Sequence, residues 1–546
     1  MGIDTSALDP LLDGALRYWP IGGGVVVVVT PDDDVIRPFG SSDPRTGTPV
    51  SVSERFEIGS ISKIFTSLLI NQLIDEGRLS LDSPVADLLP TFTLPGSASR
   101  ATVRHLLHHT AGLISGSDAV PDALAQCWSL RDTSAITAPG EFFHYSNVGF
   151  ILLGCIVEEL TESTLARAMD KRVLRPAGMH DSLAVVTHGD RGSLAIGQAP
   201  LRDDAPWIPG DPLVPATWLE VAAGDGNVAS TAQDMARFLR MLLGAGSLDG
   251  RAVVSPESFA RVVGTLAPGG EDTLTVGRHR PVRSSRYGLG INVEQISGGT
   301  VLTHGGGMVG YASFLLADLA SGMGVAVLTN ANGDTPIAEL IARDVHASCG
   351  PGDSALLAPR QLDPSVWPGD PELAGRFSSS HGEIELGYTP HRELVLSSGG
   401  TSGRVFWTLG NRFACEHPDF RLSHLGFERR GGVGVWTCGP RVFYSEVPVE
   451  VPDRVEFGPL AGHYRSYSPW FTNFRVFQRE GKLLMAAASG VEAPSEEVSL
   501  IPLEDGTFRC GDDPRLAERM RFGPVVDGTA IWAEKDGCRY SRTFTP

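Results

Sequence analysis

Ser60 and Lys63 stand three residues apart in Phe56-Glu57-Ile58-Gly59-Ser60-Ile61-Ser62-Lys63, and that lysine is one of only four in the chain (63, 171, 482 and 535). All other basic residues, out of 45 lysines and arginines together, are arginine. A lysine kept in such a sequence points to a task that arginine cannot perform. Guanidinium stays charged, whereas a buried amine can release and take up a proton near neutral pH. A serine hydroxyl attacks a carbonyl only when a neighbouring base removes its proton. The S-x-x-K tetrad therefore has the parts of a nucleophile and its base. It equally describes a helix-capping serine beside a surface lysine, so four residues alone decide nothing.

Two further clusters carry the same double reading. In His144-Tyr145-Ser146-Asn147, a tyrosine beside an amine can act as acid or base, and Asn147 offers both a donor and an acceptor. The plain alternative is a helix cap by Ser146 or Asn147, with Tyr145 as packing. In Thr303-His304-Gly305-Gly306-Gly307, consecutive glycines after a strand let a substrate lie against the backbone and expose an N–H as an oxyanion donor. His304 there steadies developing charge or the tyrosine proton; its plain alternative is a turn histidine in a glycine hairpin.

Periodicity supplies the elements that must hold these clusters. Residues 4–17 carry Leu8, Leu11, Leu12, Ala15 and Leu16 at helical spacing, and 22–30 reads as a buried β-branched strand. A strongly apolar helix over 64–76 follows the tetrad, with Ser60 in its first turn and Lys63 one turn on. Helices are expected at 103–109, 148–160, 165–174 and 232–243, and strands at 288–294, 301–303, 312–317 and 324–329. Strands at both ends with helices between predict an α+β sandwich: one antiparallel sheet, closed by the first and last segments and flanked by helices.

At 546 residues the chain is too long for one core. Hydrophobic content of 42% and charge of 20% describe a folded protein. A formal charge of −19 argues against nucleic acid, and Val25 to Val29, the most apolar early run, is far short of a membrane span. Met1 to Ser6 fits a myristoylation pattern only loosely, and no basic stretch leads into an apolar one, so a cytoplasmic location is expected. Seven cysteines without a C-x-x-C pair point away from metal and disulfides. No cofactor or metal is expected. The partner is a small molecule or short peptide, not nucleic acid or membrane, with a homodimer left open.

Residues 349–371 hold five prolines and read as a linker. Beyond it, Leu373-Ala374-Gly375-Arg376-Phe377 resembles Leu460-Ala461-Gly462-His463-Tyr464. Phe413-x-Cys415 then matches Phe508-x-Cys510, Phe427 matches Phe522, and Trp436 matches Trp532. Two strand-rich copies predict two small antiparallel β-barrels. The expected division is 1–348, a linker at 349–371, a first barrel at 372–452 and a second at 453–546. Tyr467, Trp470, Phe471 and Phe474 read as barrel core or as a wall over a cleft.

Taken together, the three clusters, in this order and on these elements, resemble the serine β-lactamase and penicillin-binding-protein superfamily, on its class C β-lactamase, esterase and D-aminopeptidase branch. The resemblance covers residues 1 to about 345 and extends to Val103-Arg104-His105-Leu106-Leu107-His108-His109-Thr110-Ala111-Gly112-Leu113, to 173–179 and to 230–238. It implies a lipocalin-like tail and a serine hydrolase working through an acyl-enzyme on short peptides, amides or esters. Ser60 is then the nucleophile, Lys63 and Tyr145 handle its proton, His304 assists Tyr145, and Asn147, Gly305, Gly306 and Gly307 line the substrate and oxyanion side. Antibiotic-binding members usually carry lysine where this chain has His304. That departure lowers a β-lactamase reading, since histidine offers no fixed charge for a substrate carboxylate. An acyltransferase or peptide-cyclising thioesterase is the alternative, and a non-catalytic scaffold is the reading from another class.

Overall fold

Val25 to Val29 are all buried, and their side chains divide between two cores. Val25, Val27 and Val29 pack with Phe65 and Leu239 on one face, whereas Val26 and Val28 pack with Leu12 and Ile341 on the other. That alternation is what a strand covered on both faces requires. The computed structural model describes residues 8–116, 122–273, 282–296, 299–349, 371–380, 382–447, 451–491, 493–494 and 496–543. The N-terminal acylation pattern and nearly all of the expected linker lie outside the described residues.

The strand Ile21–Val29 is part of an eight-stranded sheet. Its order runs Val282–Tyr287, Asn292–Ile296, Gly299–Met308, Tyr311–Asp318, Met323–Ala331, Ile21–Val29, Asp34–Asp43 and Thr48–Pro49. Every pairing is antiparallel, and Ile21–Val29 pairs with Met323–Ala331 through Val27 opposite Ala326, so the first and last segments close the sheet. Helices Leu8–Tyr18 and Ile337–Cys349 lie on one face. Ser62–Asp75, Asn147–Thr161 and Ala232–Leu243 build the other layer. The α+β sandwich expected from the pattern is the fold observed.

Two expectations change. Of the strand placed at 288–294 only 292–294 is strand, because Gly288 N donates to Ile291 O at 2.7 Å and Gly290 takes φ +88, which turns the chain between Val282–Tyr287 and Asn292–Ile296. The glycine triad, placed after a strand ending at Thr303, lies inside Gly299–Met308. There His304, Gly305, Gly306 and Gly307 pair with Leu315, Phe314, Ser313 and Ala312.

The C-terminal half forms two closed eight-stranded barrels. The first runs from Gly375–Ser379 to Arg441–Tyr444 and closes through Ser378 opposite Tyr444. The second runs from Gly462–Arg465 to Cys538–Arg542 and closes through Tyr464 opposite Arg542. The sequence repeat maps onto matching strands. Phe413-x-Cys415 and Phe508-x-Cys510 occupy the fifth strand of each barrel, Phe427 and Phe522 the sixth, and Trp436 and Trp532 the seventh. None of the seven cysteines is in a disulfide, and among the described residues no helix is long and apolar enough to cross a membrane.

Candidate active site

The short strand Phe56–Glu57 pairs with Ala229–Ser230, and Ile58 N donates to Val228 O at 2.9 Å, which fixes the approach to Ser60. Ser60 then sits in the 3-10 turn Gly59–Ile61 that opens the helix Ser62–Asp75. This turn presses directly against the glycine strand. Gly59 has φ +51, and a Cβ on it would lie 2.6 Å from Gly307 N. A Cβ on Gly306 would lie 1.9 Å from Ile58 O, whereas one on Gly305 would only touch Phe314 at 3.7 Å. The glycines at 59 and 306 thus let two backbones meet, while Gly305 has no such steric requirement.

Lys63 is fully buried, and its Nζ lies 2.9 Å from Ser60 Oγ, 2.7 Å from Asn147 Oδ1 and 2.9 Å from Asp225 O. The last two partners can only accept. In its unprotonated form such an amine has two hydrogens for these two acceptors and a lone pair left for the Ser60 hydroxyl. This is the geometry for removing the proton from Ser60.

Ser146 is the cap of Asn147–Thr161, with its Oγ accepting from Gly149 N at 3.2 Å and donating to Ile114 O at 2.7 Å. Capping by Ser146 leaves the Asn147 side chain to reach Lys63. Tyr145 stacks on His109 with ring centroids 4.2 Å apart, and its ring lies 5.0 Å from Lys63 Nζ. His109 is buried, accepts from Ser146 N at 2.9 Å, and is driven well below the usual histidine range by burial and by the nearby Lys63. It is therefore an uncharged platform under Tyr145.

His304 is bound at both ring nitrogens. Nδ1 donates to Gly305 O at 2.6 Å, so Nε2 accepts from Tyr287 Oη at 2.8 Å. Its hydrogen bonds go to Tyr287 and Gly305, not to Tyr145 as expected from the sequence. Burial lowers its pKa to about 4, with the Gly305 carbonyl opposing and Lys63 reinforcing the shift, so the imidazole is neutral at pH 7.

Two cavities meet here, since Ser60 and Gly307 line both. One, of about 270 Å³, is walled by Tyr145, His304, Tyr287, Glu271 and Arg343. The other, of about 40 Å³, is walled by Asn147, Ile151, Asp225, Met308 and Trp470. Trp470 comes from the second barrel. Its three aromatic companions divide: Phe471 and Phe474 are barrel core, and Tyr467 is exposed.

The second barrel also reaches the segment before Tyr145. His144 Nε2 lies 2.7 Å from Glu518 Oε1 and His144 Nδ1 lies 2.9 Å from Glu271 Oε1. Glu518 Oε1 also accepts from Ser115 N at 2.9 Å, and Glu271 Oε2 from Tyr145 N at 3.0 Å. Burial alone would lower the His144 pKa, but the two carboxylates outweigh it and hold the residue protonated.

Sequence reasoning brought Ser60, Lys63, Tyr145, Asn147, His304 and the glycines forward, and the structure gathers them around these two cavities. It did not single out Tyr287, Asp225, Glu271 or Glu518. His109 lay in a quoted segment without a role. Tyr287 reaches His304 across an intervening strand, a relation that no spacing rule in one sequence reveals.

A sequence profile described as Beta-lactamase matches residues 22–348. Penicillin-binding protein 4 of Amycolatopsis lactamdurans is 31% identical over 297 residues, 52% of this chain and 74% of that protein. Esterase EstB of Burkholderia gladioli is 30% identical, covering 41% of this chain and 61% of its own. D-aminopeptidase of Brucella anthropi is 27% identical over 56% of each chain. In structure, the octameric penicillin-binding protein homologue from Pyrococcus abyssi superposes with a TM-score of 0.54 at 22% identity, covering 80% of this chain and 98% of that one. D-amino acid amidase from Ochrobactrum anthropi superposes at 0.52 with 20% identity, covering 62% and 94%.

Proposed function

The chain belongs to the beta-lactamase family, whose profile takes in residues 22–348, and from that premise we propose that it is a serine hydrolase acting through an acyl-enzyme on short peptides, amides or esters. The observation that carries the reading is the buried Lys63 Nζ, 2.9 Å from Ser60 Oγ and held by Asn147 Oδ1 and Asp225 O.

Lys63, in its amine form, takes the Ser60 proton as Oγ forms a bond to the substrate carbonyl carbon. The tetrahedral oxyanion is received by the N–H groups of Ser60 and Gly307, each donor being worth about 10²-fold in rate in comparable sites. The leaving amine or alcohol departs with the proton returned through Lys63 and Tyr145. In deacylation Tyr145 passes its phenolic proton to Lys63 as it takes one from water, the water oxygen bonds to the acyl carbon, and the bond to Ser60 Oγ breaks as Lys63 returns the proton to that oxygen. Asn147 holds Lys63, while His304 and Tyr287 shape the wall beside Tyr145.

His304 is neutral at pH 7, so the position where antibiotic-binding relatives carry lysine supplies no fixed charge for a carboxylate, and Arg343 in the same wall is paired with Glu294 and Glu339 at 2.8 Å. Substrates with a free N-terminus, such as D- or L-amino-acid amides, and small esters fit this better than β-lactams. A cytoplasmic location and a homodimer are carried in the same proposal, the first read by cell fractionation and the second by light scattering.

The test is turnover of D- and L-amino-acid amides, short nitrophenyl esters and a chromogenic cephalosporin by wild type and Ser60→Ala. Amide or ester turnover that disappears in Ser60→Ala, with negligible cephalosporin cleavage, is expected. Cephalosporin turnover above that of the amides and esters would contradict the substrate class. Trapping of the acyl group by an added amine in preference to water would favour the acyl-transfer alternative.

A further inference from the structure

Glu57 stands three residues before Ser60, and its side chain leaves the strand Phe56–Glu57 on the side away from Phe56 and Ile58, which both pack into the apolar core. It is 8% exposed, and its carboxyl has no hydrogen bond or ion pair among the described residues. The carboxyl oxygens are not sealed off but keep accessible surface. Glu57 is one wall of a cavity of about 620 Å³ that neither Ser60 nor Gly307 lines, so this is not one of the two catalytic cavities.

A buried carboxyl without a partner is rare, and burial pushes this one up to about 8, with no neighbouring cation opposing the rise. The cavity therefore lacks a positive charge against Glu57, and its other walls restrict what can bring one. Tyr311 is buried, donates from Oη to Ala195 O at 2.7 Å, and is raised by burial and by Glu57, so it stays neutral. Trp218 adds an indole, with the Arg191 guanidinium 5.4 Å from its ring centre. Asp43 is already held by Arg45 at 3.0 Å and Glu54 by Ser51 N at 2.8 Å, while His188 is exposed. Two aromatic walls beside a lone acid suit a cation that carries an apolar body. The volume lies in the range of sites that enclose a small organic molecule. A metal ion fits less well, since the described residues form no cluster of three ligating side chains.

We propose that this cavity is a second, non-catalytic binding site for a small organic ammonium, an arylalkyl primary amine in chemical class, whose nitrogen pairs with Glu57 and whose apolar body lies against Tyr311 and Trp218. The inference does not depend on the hydrolase reading of Ser60. An occupant here bears on the strand that seats Ser60. The next residue, Ile58, presents a carbonyl that accepts from Ser313 Oγ at 2.8 Å and packs against Gly306, and Ser60 follows in the adjoining turn.

Isothermal titration calorimetry of the full chain with phenethylamine tests this, phenethyl alcohol serving as the uncharged counterpart. Wild type is expected to bind the amine about 30-fold more tightly than the alcohol, or better. Binding at pH 7 releases close to one proton, read from two buffers of different ionisation enthalpy, because an acid with a pKa of about 8 must ionise to hold the ammonium. The amine's affinity rises about tenfold per pH unit below that value and levels off above it, as long as the amine itself stays charged. Glu57→Gln matches the protonated acid in shape; it removes both the preference for the amine and the proton release. Glu271→Gln, at the catalytic cavity, leaves both in place. No binding, equal binding of amine and alcohol, or binding without proton release overturns the proposal, as does a preference that survives Glu57→Gln. Loss of the preference in Glu271→Gln would put the amine in the catalytic cavity and overturn it too. Should Glu57→Gln fail to fold, the wild-type proton count decides. The acylation of Ser60 is read separately, by the ester assay, so neither proposal falls with the other.

Discussion

The two barrels share a strand plan and a sequence repeat, yet they join the catalytic domain by different physics. The interior of the first continues into the sheet: Leu394, Leu396, Phe413 and Trp436 belong to one apolar cluster with Leu12, Trp19, Val28 and Ile341. The second closes on its own core of Tyr464, Phe474, Met485 and Tyr540. It reaches the catalytic domain largely through polar contacts. Arg465 pairs with Asp203 at 2.7 Å, Asp334 accepts from Ser489 Oγ at 2.7 Å, and Glu518 binds His144 at 2.7 Å. Trp470 and Ala517 are its apolar exceptions. Burial of shared apolar surface makes the first barrel part of the domain's stability. The charged contacts make the second barrel's seat responsive to pH and salt, and one of them, Glu518 on His144, lies beside Tyr145.

Breaking the first junction has the largest expected effect. Trp407 is 6% exposed and meets Trp19 edge to face at 6.1 Å. Trp407→Ala is expected to cost about 3–5 kcal/mol in denaturant unfolding. kcat/KM per folded molecule should stay at the wild-type level, because the substitution is remote from Ser60.

The second junction separates function from folding. Glu518→Gln leaves the His144 imidazolium with Glu271 as its carboxylate partner and is expected to weaken docking by about 2–3 kcal/mol. Activity should fall more than the unfolding midpoint does, since the Tyr145 segment and the Trp470 wall both depend on that seat. The pH dependence has a definite sign. His144 is raised in the folded protein, so its contribution is complete below its ordinary value of 6.5 and is lost as pH rises through the folded value. Glu518 is lowered to about 2: burial opposes that shift, and His144 drives it. Its contribution is present above 4.5 and lost as pH falls toward 2. The wild-type junction is therefore tightest between about 4.5 and 6.5, a window that Glu518→Gln should flatten in pH-dependent melting.

Arg465→Ala marks the small end of the series. Both partners of that ion pair are more than a third exposed, so the loss should stay below about 1 kcal/mol and vanish in high salt.

What the sequence made legible follows from range. The tetrad at 60–63, the segment 144–147 and the triad at 305–307 are local patterns on strongly periodic elements, and the repeat marked the barrels strand by strand. The glycine triad misled at one point. Glycine is read as a strand ending, but here the strand Gly299–Met308 continues because Gly306 must admit the Ile58 carbonyl. The clasp on His144 lay beyond reading, since Glu518 stands 374 residues away and leaves no periodic trace. Asp225 was equally silent: an aspartate between two glycines reads as a turn, and only burial beside Lys63 gives it meaning.

The central claim is that Ser60 becomes acylated with Lys63 as its base. Intact-mass analysis after rapid acid quench of a small nitrophenyl ester reaction tests it most directly. The account predicts one acyl adduct, mapped to the Ser60 peptide, absent in Ser60→Ala and formed far more slowly in Lys63→Ala. Ester turnover that persists undiminished in Ser60→Ala, or an adduct carried by another residue, would contradict it.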